Sequence, residues 1–470
     1  MIKLLKGDCL QVLKSLPDNS VDSLVSDPPA GIAFMGKGWD EDKGHRDLWI
    51  LWLSKVMKEC RRVLKPGAHG LVWAIPRTSH WTGMALENSG FEVRDVVSHL
   101  FGQGFPKSLD ISKAIDKMQG SEREIVLTIK KTPSATKCNE GWERPWAQGK
   151  TTMDITAPAT DEAKQWDGWG TALKPAVEFW FLIRKPIEEK SVALNVLKHG
   201  TGGINIDGSR IGTEEKLQAG RGINKTDYNS PSGYKTSNRA PYIQATQGRF
   251  PSNLVLSHDA ECKEDQCTDE CAVKLLNDQS GPCKTGELTG QPRVENKVFG
   301  KAGSTLGKPR YYQPDLPTGA SRFFYCAKIS SGERNAGLDT FTQLKKRSDA
   351  RPNSPDLSGK FPDHDGRERA GNHHPTVKPI KLMRYLTRLI TPSNGIVLDP
   401  FMGSGTTGVA SLKEGFGFIG IEKEAEYFEI CKARITQTKK LLDQINEKKE
   451  AKREKLKKAF SIKTPIQDKA

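Results

Sequence analysis

The stretch Val397-Leu398-Asp399-Pro400-Phe401-Met402-Gly403-Ser404-Gly405-Thr406-Thr407-Gly408 constrains the fold more than any other part of the chain. A short apolar run, Ile396 to Leu398, ends in an acid and a proline, and glycines follow in the order G-x-G-x-x-G. An amphipathic run then opens at Thr406 or Thr407. This order spells buried strand, tight turn and helix, and it aims the free backbone N–H groups of the helix start at whatever lies above the turn. Further on, Glu422 closes a second apolar run, Phe416 to Ile421. A carboxylate there can accept both ribose hydroxyl hydrogens of a nucleoside. A helix start packed closely on a strand would explain the glycines, but it leaves the paired acids without a reason.

The glycine pattern alone also suits a nicotinamide dinucleotide. Asp399, however, stands at the strand end where a pyrophosphate would approach, and like charges would meet there. A carboxylate suits a cofactor with a positive charge or an ammonium group, and S-adenosylmethionine carries both. Asp399, Pro400, Phe401, Gly403, Ser404, Gly405, Thr406 and Glu422 are therefore candidate cofactor contacts.

A second informative stretch lies near the start of the chain. Val21 to Ser26 reads as a strand that runs straight into Asp27-Pro28-Pro29-Ala30. Two prolines fix the backbone and contribute no N–H, so their carbonyls can face outward as free acceptors. Beside a carboxylate, they can hold both hydrogens of an exocyclic amino group and draw its nitrogen toward tetrahedral geometry. The lone pair can then attack an electrophilic methyl group in line, with positioning and electrostatics carrying the catalysis. A plain rigid turn after a strand is the alternative.

Strand-like runs at Ile2–Leu5, Val21–Ser26, His69–Ile75, Phe91–Val97 and Val177–Ile183 alternate with helical patterns. The clearest helix runs from Arg46 to Leu64 on Leu48, Leu51, Trp52, Val56, Cys60 and Val63, with Pro66-Gly67 as its stop. The expected fold class is α/β, a mostly parallel Rossmann-like sheet with helices on both faces. Composition divides the 470 residues into a catalytic half at 1–186, a loop-rich insertion at 187–370, a cofactor-binding half at 371–440 and a charged tail at 441–470. The net charge of +15 points to a polyanionic partner, with nucleic acid the commonest. Nine irregularly spaced cysteines suit reduced thiols in a cytoplasm. No apolar stretch approaches a membrane span, and Met1–Asp8 is too short and charged for a signal peptide. A monomer and a dimer are equally open.

Taken together, these stretches resemble the DNA amino-methyltransferases, which modify adenine N6 or cytosine N4. Asp27-Pro28-Pro29-Ala30 resembles their catalytic tetrapeptide, Asp399–Thr407 their S-adenosylmethionine motif, and His374-Pro375-Thr376-Val377-Lys378-Pro379 the motif just upstream. Catalytic motif first and cofactor motif last is the permuted arrangement of the beta class. The likeness is strongest over residues 1–100 and 370–440, and the middle of the chain is similar to phage and prophage members. It implies double-stranded DNA as partner, base flipping, and adenine N6 as acceptor, with cytosine N4 or a silent DNA-binding protein as alternatives. It further implies that Asp8 meets the cofactor adenine, that Thr376 and Lys378 lie near the methionine carboxylate, and that residues 187–370 recognise the target. The family has an aromatic residue where this chain has Ala30, and that ring stacks on the flipped base. Phe34, Trp39 and Trp169 are the replacement candidates.

Two cysteine patterns remain. His258, Cys262, Cys267 and Cys271 give H-x3-C-x4-C-x3-C, four ligands suited to a tetrahedral structural zinc, against a plain helix at Cys271–Leu276. Pro282-Cys283 resembles the nucleophile of the cytosine carbon-5 enzymes, but its place in the chain does not fit theirs.

Overall fold

The computed structural model describes residues 1–34, 38–102, 104, 108–130, 152–212, 217–218, 244–245, 248–259, 262, 266–269, 271–281, 320–327, 338, 372, 374 and 376–461. In chain order the elements are β1 (Ile2–Lys6), α1 (Cys9–Lys14), β2 (Val21–Ser26), α2 (Arg46–Val63), β3 (Leu64–Ala74), α3 (Ser79–Asn88) and β4 (Glu92–Leu100). Then come α4 (Ile111–Met118), β5 (Ile125–Lys130), β6 (Thr152–Thr156), α5 (Asp161–Gln165), β7 (Val177–Arg184) and α6 (Val192–His199). The short ladder β8 (Leu217–Gln218) and β9 (Gln244–Ala245) precedes β10 (Leu254–Ser257), α7 (Ala272–Ser280) and β11 (Tyr325–Ala327). The chain closes with α8 (Ile380–Ile390), β12 (Ile396–Asp399), α9 (Thr406–Lys413), β13 (Gly417–Glu422) and α10 (Ala425–Ser461).

A nine-stranded sheet in the order β1-β13-β12-β2-β3-β7-β4-β10-β11 organises the larger unit, residues 1–102 and 177–470. All its pairings are parallel except those of β7, which runs antiparallel to both β3 and β4. An apolar run does not reveal strand direction, so the sequence was silent on this reversal. Neighbouring residues alternate between two cores, as strand geometry requires. Leu24, Leu398 and Ile419 face one core with α1, α2 and α3. Val25, Val397 and Phe418 face the other, with α8, α9 and α10.

The helix expected at Arg46–Leu64 spans Arg46–Val63, but β3 begins at Leu64 rather than beyond Pro66-Gly67. Gly67 adopts φ +77°, its N–H donates to the carbonyls of Lys185 and Pro186, and the Pro66 carbonyl accepts from Asn195 and Thr201. Partners from distant segments thus carry the strand through a pair that locally reads as a stop.

Residues 103–176 form a second unit. Within it, β5 and β6 pair antiparallel. Asp116 joins α4 to the start of α5 by accepting from Ala159 N (3.1 Å), Thr160 N (3.1 Å) and Thr160 Oγ1 (2.8 Å). The range 187–370, read above as one loop-rich insertion, contains β10 and β11, and both extend the main sheet. The sequence shows short β-like islands at Gly202–Ile211, Phe250–Ser257 and Arg322–Lys328; the last two contain these strands, and only their place in the main sheet was not legible. Among the described residues, no helix is long and apolar enough to cross a membrane.

Candidate active site

Parallel strands leave their polar chemistry at their carboxyl ends, and ligands favour the gap where the chain switches from one face of the sheet to the other. Here β12 leads to α9 in one core while its neighbour β2 leads to α2 in the other. The crevice between the ends of β12 and β2 is that switch point. It brings Asp399 and Asp27 together from opposite parts of the chain. Ser26 Oγ donates to Asp399 Oδ1 across the gap at 2.8 Å.

The turn after β12 is built as its sequence suggested. Gly403 and Gly405 have φ +50° and +79°, conformations that side chains resist. A Cβ on Gly405 would stand 2.5 Å from Cys431 Sγ, and one on Gly408 would stand 2.5 Å from Ile435 Cδ1, so α10 packs directly on these glycines. Asp399 also accepts from Phe401 N at 3.1 Å. Burial pushes its carboxyl up to about 6, against the lowering effect of its hydrogen bonds. Glu422 ends β13, and it accepts from Gly403 N and Glu424 N, both at 2.8 Å. Burial pushes Glu422 up to about 7. Two desolvated carboxylates beside a turn favour a cationic ligand, which S-adenosylmethionine would satisfy.

Pro400 is buried and the Phe401 ring lies 5.7 Å from that of Trp52. Ser404 and Thr406 are buried as well. Both are tied to Arg434, an α10 residue only 1% exposed. Its Nη1 donates to Ser404 O (2.7 Å), Ser404 Oγ (3.1 Å) and Thr406 Oγ1 (3.2 Å). The sequence reading missed Arg434, whose only local signal is a cation among the apolar residues of an amphipathic helix. Asp8 follows β1, beside β13, and its Oδ1 caps α1 by accepting from Leu10 N and Gln11 N. Thr376 N donates to His374 Nδ1 at 3.3 Å, and His374 lies against the turn, 2.7 Å from where a Gly403 Cβ would stand.

Asp27 sits in a charged cluster. Lys378 Nζ lies 3.4 Å from Asp27 Oδ2 and 3.5 Å from Glu178 Oε2, and 3.7 Å from the Trp73 ring centroid. Glu178 in turn lies 3.5 Å from His99 Nδ1, and His99 Nε2 is 2.7 Å from Ser257 Oγ. Burial pushes Asp27 up to about 7; Lys378 opposes this, while Glu178 and Asp399 reinforce it. Burial also pushes Glu178 up, but Lys378, His99 and Trp73 outweigh it and leave that carboxyl at about 2. Lys378, expected near the cofactor carboxylate, therefore reaches the Asp27 side of the crevice. Glu178 and His99 were missed; a lone acid in the apolar run Val177–Ile183 was the available hint.

Pro28 is buried, while Pro29 and Ala30 are half-buried. The Ala30 backbone is pinned at both ends: its N–H donates to Asp40 Oδ1 and its carbonyl accepts from Thr78 Oγ1 at 2.9 Å. Asp40, 1% exposed, also takes Gly31 N (3.1 Å) and Phe34 N (2.8 Å), and so organises the loop from within. Of the three aromatic candidates, Phe34 belongs to this loop. Trp39 stacks on His374, with ring centroids 6.2 Å apart, and packs beside Tyr427 and Ile430. Trp169 belongs to the second unit, where its exposed ring meets Trp166 edge-on at 5.1 Å. His258, Cys262, Cys267 and Cys271 converge at the far edge of the main sheet, each offering a ligand atom within 4.8 Å of the others. Cys283 and Pro375 lie outside the described residues.

Residues 289–433 match a family described as DNA methylase. That match takes in Asp399–Thr407 and Glu422 but not Asp27. The chain is 43% identical over 70 residues to the Type II methyltransferase M2.LlaDCHI of Lactococcus lactis subsp. cremoris, covering 15% of this chain and 26% of that protein. It is 40% identical over 78 residues to the Type II methyltransferase M.BamHI of Bacillus amyloliquefaciens, covering 16% and 18%. The chain thus spans less than half the length of the curated relatives it matches. Among solved structures it is similar to the PvuII DNA methyltransferase (cytosine-N4-specific), with 13% identity, 92% of this chain and 85% of that one covered, and a TM-score of 0.38.

Proposed function

We propose that this chain, which carries a domain of the DNA methylase family at residues 289–433, transfers a methyl group from S-adenosylmethionine to the exocyclic amine of a base in double-stranded DNA. The amine we assign is adenine N6. The observation that carries the reading is the meeting of Asp27 and Asp399 on adjoining strand ends, tied by the Ser26–Asp399 hydrogen bond.

The cofactor would supply an electrophilic methyl on a sulfonium. The residues that would hold it are Asp399, the turn from Phe401 to Thr406, and Glu422, with Asp8 and Thr376 at the margins. On the substrate side, the Asp27 carboxylate and the Pro28 carbonyl accept the two amine hydrogens and localise the nitrogen lone pair. As the N–C bond forms, the methyl's S–C bond would break to leave a neutral thioether, nitrogen sheds one proton, and Asp27 is a base suited to take it near neutral pH. Lys378 and Glu178 fix the charge and orientation of Asp27. The net charge of +15 suits a DNA partner, and a cytoplasmic setting follows from that substrate. Within this reading, residues 187–370 supply target recognition.

Ala30 motivates a second reading, a protein that binds DNA without modifying it, because the base lacks its usual stacking ring at that position. The deciding experiment incubates the protein with unmethylated genomic DNA and S-adenosylmethionine and identifies modified nucleosides by mass spectrometry. N6-methyladenine is the expected product. N4-methylcytosine would keep the mechanism and change the base, whereas neither product in the presence of bound cofactor would favour the silent protein. Asp27→Ala should lower transfer about a hundredfold or more and leave cofactor binding intact; undiminished transfer would refute the role given to Asp27.

A further inference from the structure

We propose that His258 Nδ1 and the Sγ atoms of Cys262, Cys267 and Cys271 form a closed four-ligand zinc site that fixes the edge of the main sheet. The four ligand atoms all lie within 4.8 Å of one another. Nδ1 is 3.4 Å from Cys267 Sγ and 3.6 Å from Cys271 Sγ. A tetrahedral zinc with nitrogen at about 2.0 Å and sulfur at about 2.3 Å requires N···S edges of about 3.5 Å and S···S edges of about 3.8 Å. Both N···S distances match those edges, and the remaining separations stay within 4.8 Å. Hydrogen bonding alone explains it poorly, since two thiols crowd a single ring nitrogen, while Cys262 Sγ already accepts from Thr268 N at 3.4 Å.

Three thiolates and one imidazole form a soft, tetrahedral set, which selects zinc over the hard cations that prefer carboxylates. All four positions come from protein, so no coordination site is left for water or substrate, and the role is structural. The surroundings agree. Cys262 and Cys271 are 8% and 0% exposed, and among the described residues the other buried members of their cluster are Leu256 and Val273. So small an apolar core gains much from a metal cross-link.

The position explains what the link would do. His258 directly follows β10, and its N–H donates to Ala327 O of β11 at 2.9 Å. Cys271 is the residue that caps α7. A shared metal would clamp the end of β10, the start of α7 and the segment between them. Ser257, the last residue of β10, holds His99, which faces Glu178 of the Asp27 cluster. The clamp thus secures the outermost polar contact of the catalytic edge.

The test uses the full chain, expressed with added zinc and purified without chelator. Metal analysis should find about one zinc per chain, falling below a tenth of that in Cys271→Ser. His199→Ala, which alters the partly exposed Glu188–Glu189–His199 group, should retain the metal. Because Cys271→Ser can fail to fold, cobalt(II) exchanged into the wild-type protein gives an independent reading. Thiolate-to-cobalt charge-transfer absorption with the visible bands of tetrahedral cobalt would support the site. Wild-type protein with only trace zinc and no such bands would overturn it, as would a full equivalent of zinc persisting in Cys271→Ser.

Discussion

Lys378→Met removes the ammonium that stands 3.4 Å from Asp27 and 3.5 Å from Glu178 while keeping much of the side-chain volume. At an effective permittivity of about 20, a charge pair at this distance interacts by roughly 5 kcal/mol. Partial solvent contact reduces this, since the Asp27 side chain is 20% exposed. Even about 1.4 kcal/mol changes proton affinity tenfold. The direction is fixed: Lys378 draws the Asp27 carboxyl down from where burial would leave it. Its loss raises Asp27 further, and Glu178, no longer neutralised, adds to the rise. Under the proposed mechanism, transfer by the wild type needs the Asp27 carboxylate, so the rate should climb with pH and level off above about 7. In the variant, the midpoint should move up by about one pH unit or more, lowering the rate at pH 7 about fivefold or more with recovery at higher pH. The assay is single-turnover transfer of labelled methyl to unmethylated genomic DNA at saturating cofactor, with thermal melts run in parallel because breaking a buried ion pair is destabilising. An unchanged midpoint with weakened cofactor binding would refute this account and return Lys378 to the methionine carboxylate.

Four further outcomes follow from the same geometry. Asp399 and Glu422 lie at about 6 and 7, both raised by burial, so S-adenosylmethionine should bind more tightly as pH rises from 5 to 8 and should release protons near pH 6; calorimetry in buffers of different ionisation heat reads both, and pH-independent affinity would count against the site. Since these acids titrate above their unfolded values, the cofactor-free protein holds extra protons between about pH 4 and 7, and their contribution to stability is lost as pH rises through that window; melts showing a gain there from these groups would contradict their burial. Gly405→Ala, at φ +79° with Cys431 Sγ 2.5 Å from the new Cβ, should cost about 1–3 kcal/mol, and an unshifted urea midpoint would show that the turn tolerates a side chain. Arg434→Met should destabilise by about 2–4 kcal/mol through loss of charged hydrogen bonds to Ser404 and Thr406, again read in the urea midpoint, with no change as the refuting result.

What the sequence revealed was what it encodes locally. A strand that ends in Asp27-Pro28-Pro29 and a strand that ends in Asp399 before spaced glycines are each contained in one short segment, and both are readable as chemistry. Their meeting followed from parallel topology. The cluster around Asp27 was not readable, because Glu178 and His99 acquire their roles only by pairing between β7 and β4, where His99 stands opposite Glu178. Asp40 was hidden for a similar reason. Its charge is spent on the backbone of Ala30, Gly31 and Phe34, and a side chain that serves main-chain groups leaves no motif. Pro66-Gly67 misled because distant partners overrode a local stop.

The reversed strand ties these observations together. Across adjacent strands β13, β12, β2, β3, β7, β4 and β10, one edge of the sheet presents Glu422, Asp399, Ser26 with Asp27, Trp73, Glu178, His99 and Ser257 in turn. Six of these strands run parallel and contribute residues at or just after their carboxyl ends. Glu178, by contrast, is the second residue of β7, and it reaches the same edge only because β7 runs the other way. Its pairing sets Phe179 opposite Ala74 and Glu178 opposite His99. Were β7 parallel to its neighbours, its other end, Arg184, would occupy that edge, and a guanidinium would face Lys378 instead of a carboxylate. Two cations beside Asp27 would repel one another and pull its carboxyl down, away from the neutral range in which it can take a proton. The antiparallel insertion of β7 therefore does more than complete the sheet: it sets the sign of the charge that holds Lys378 against Asp27.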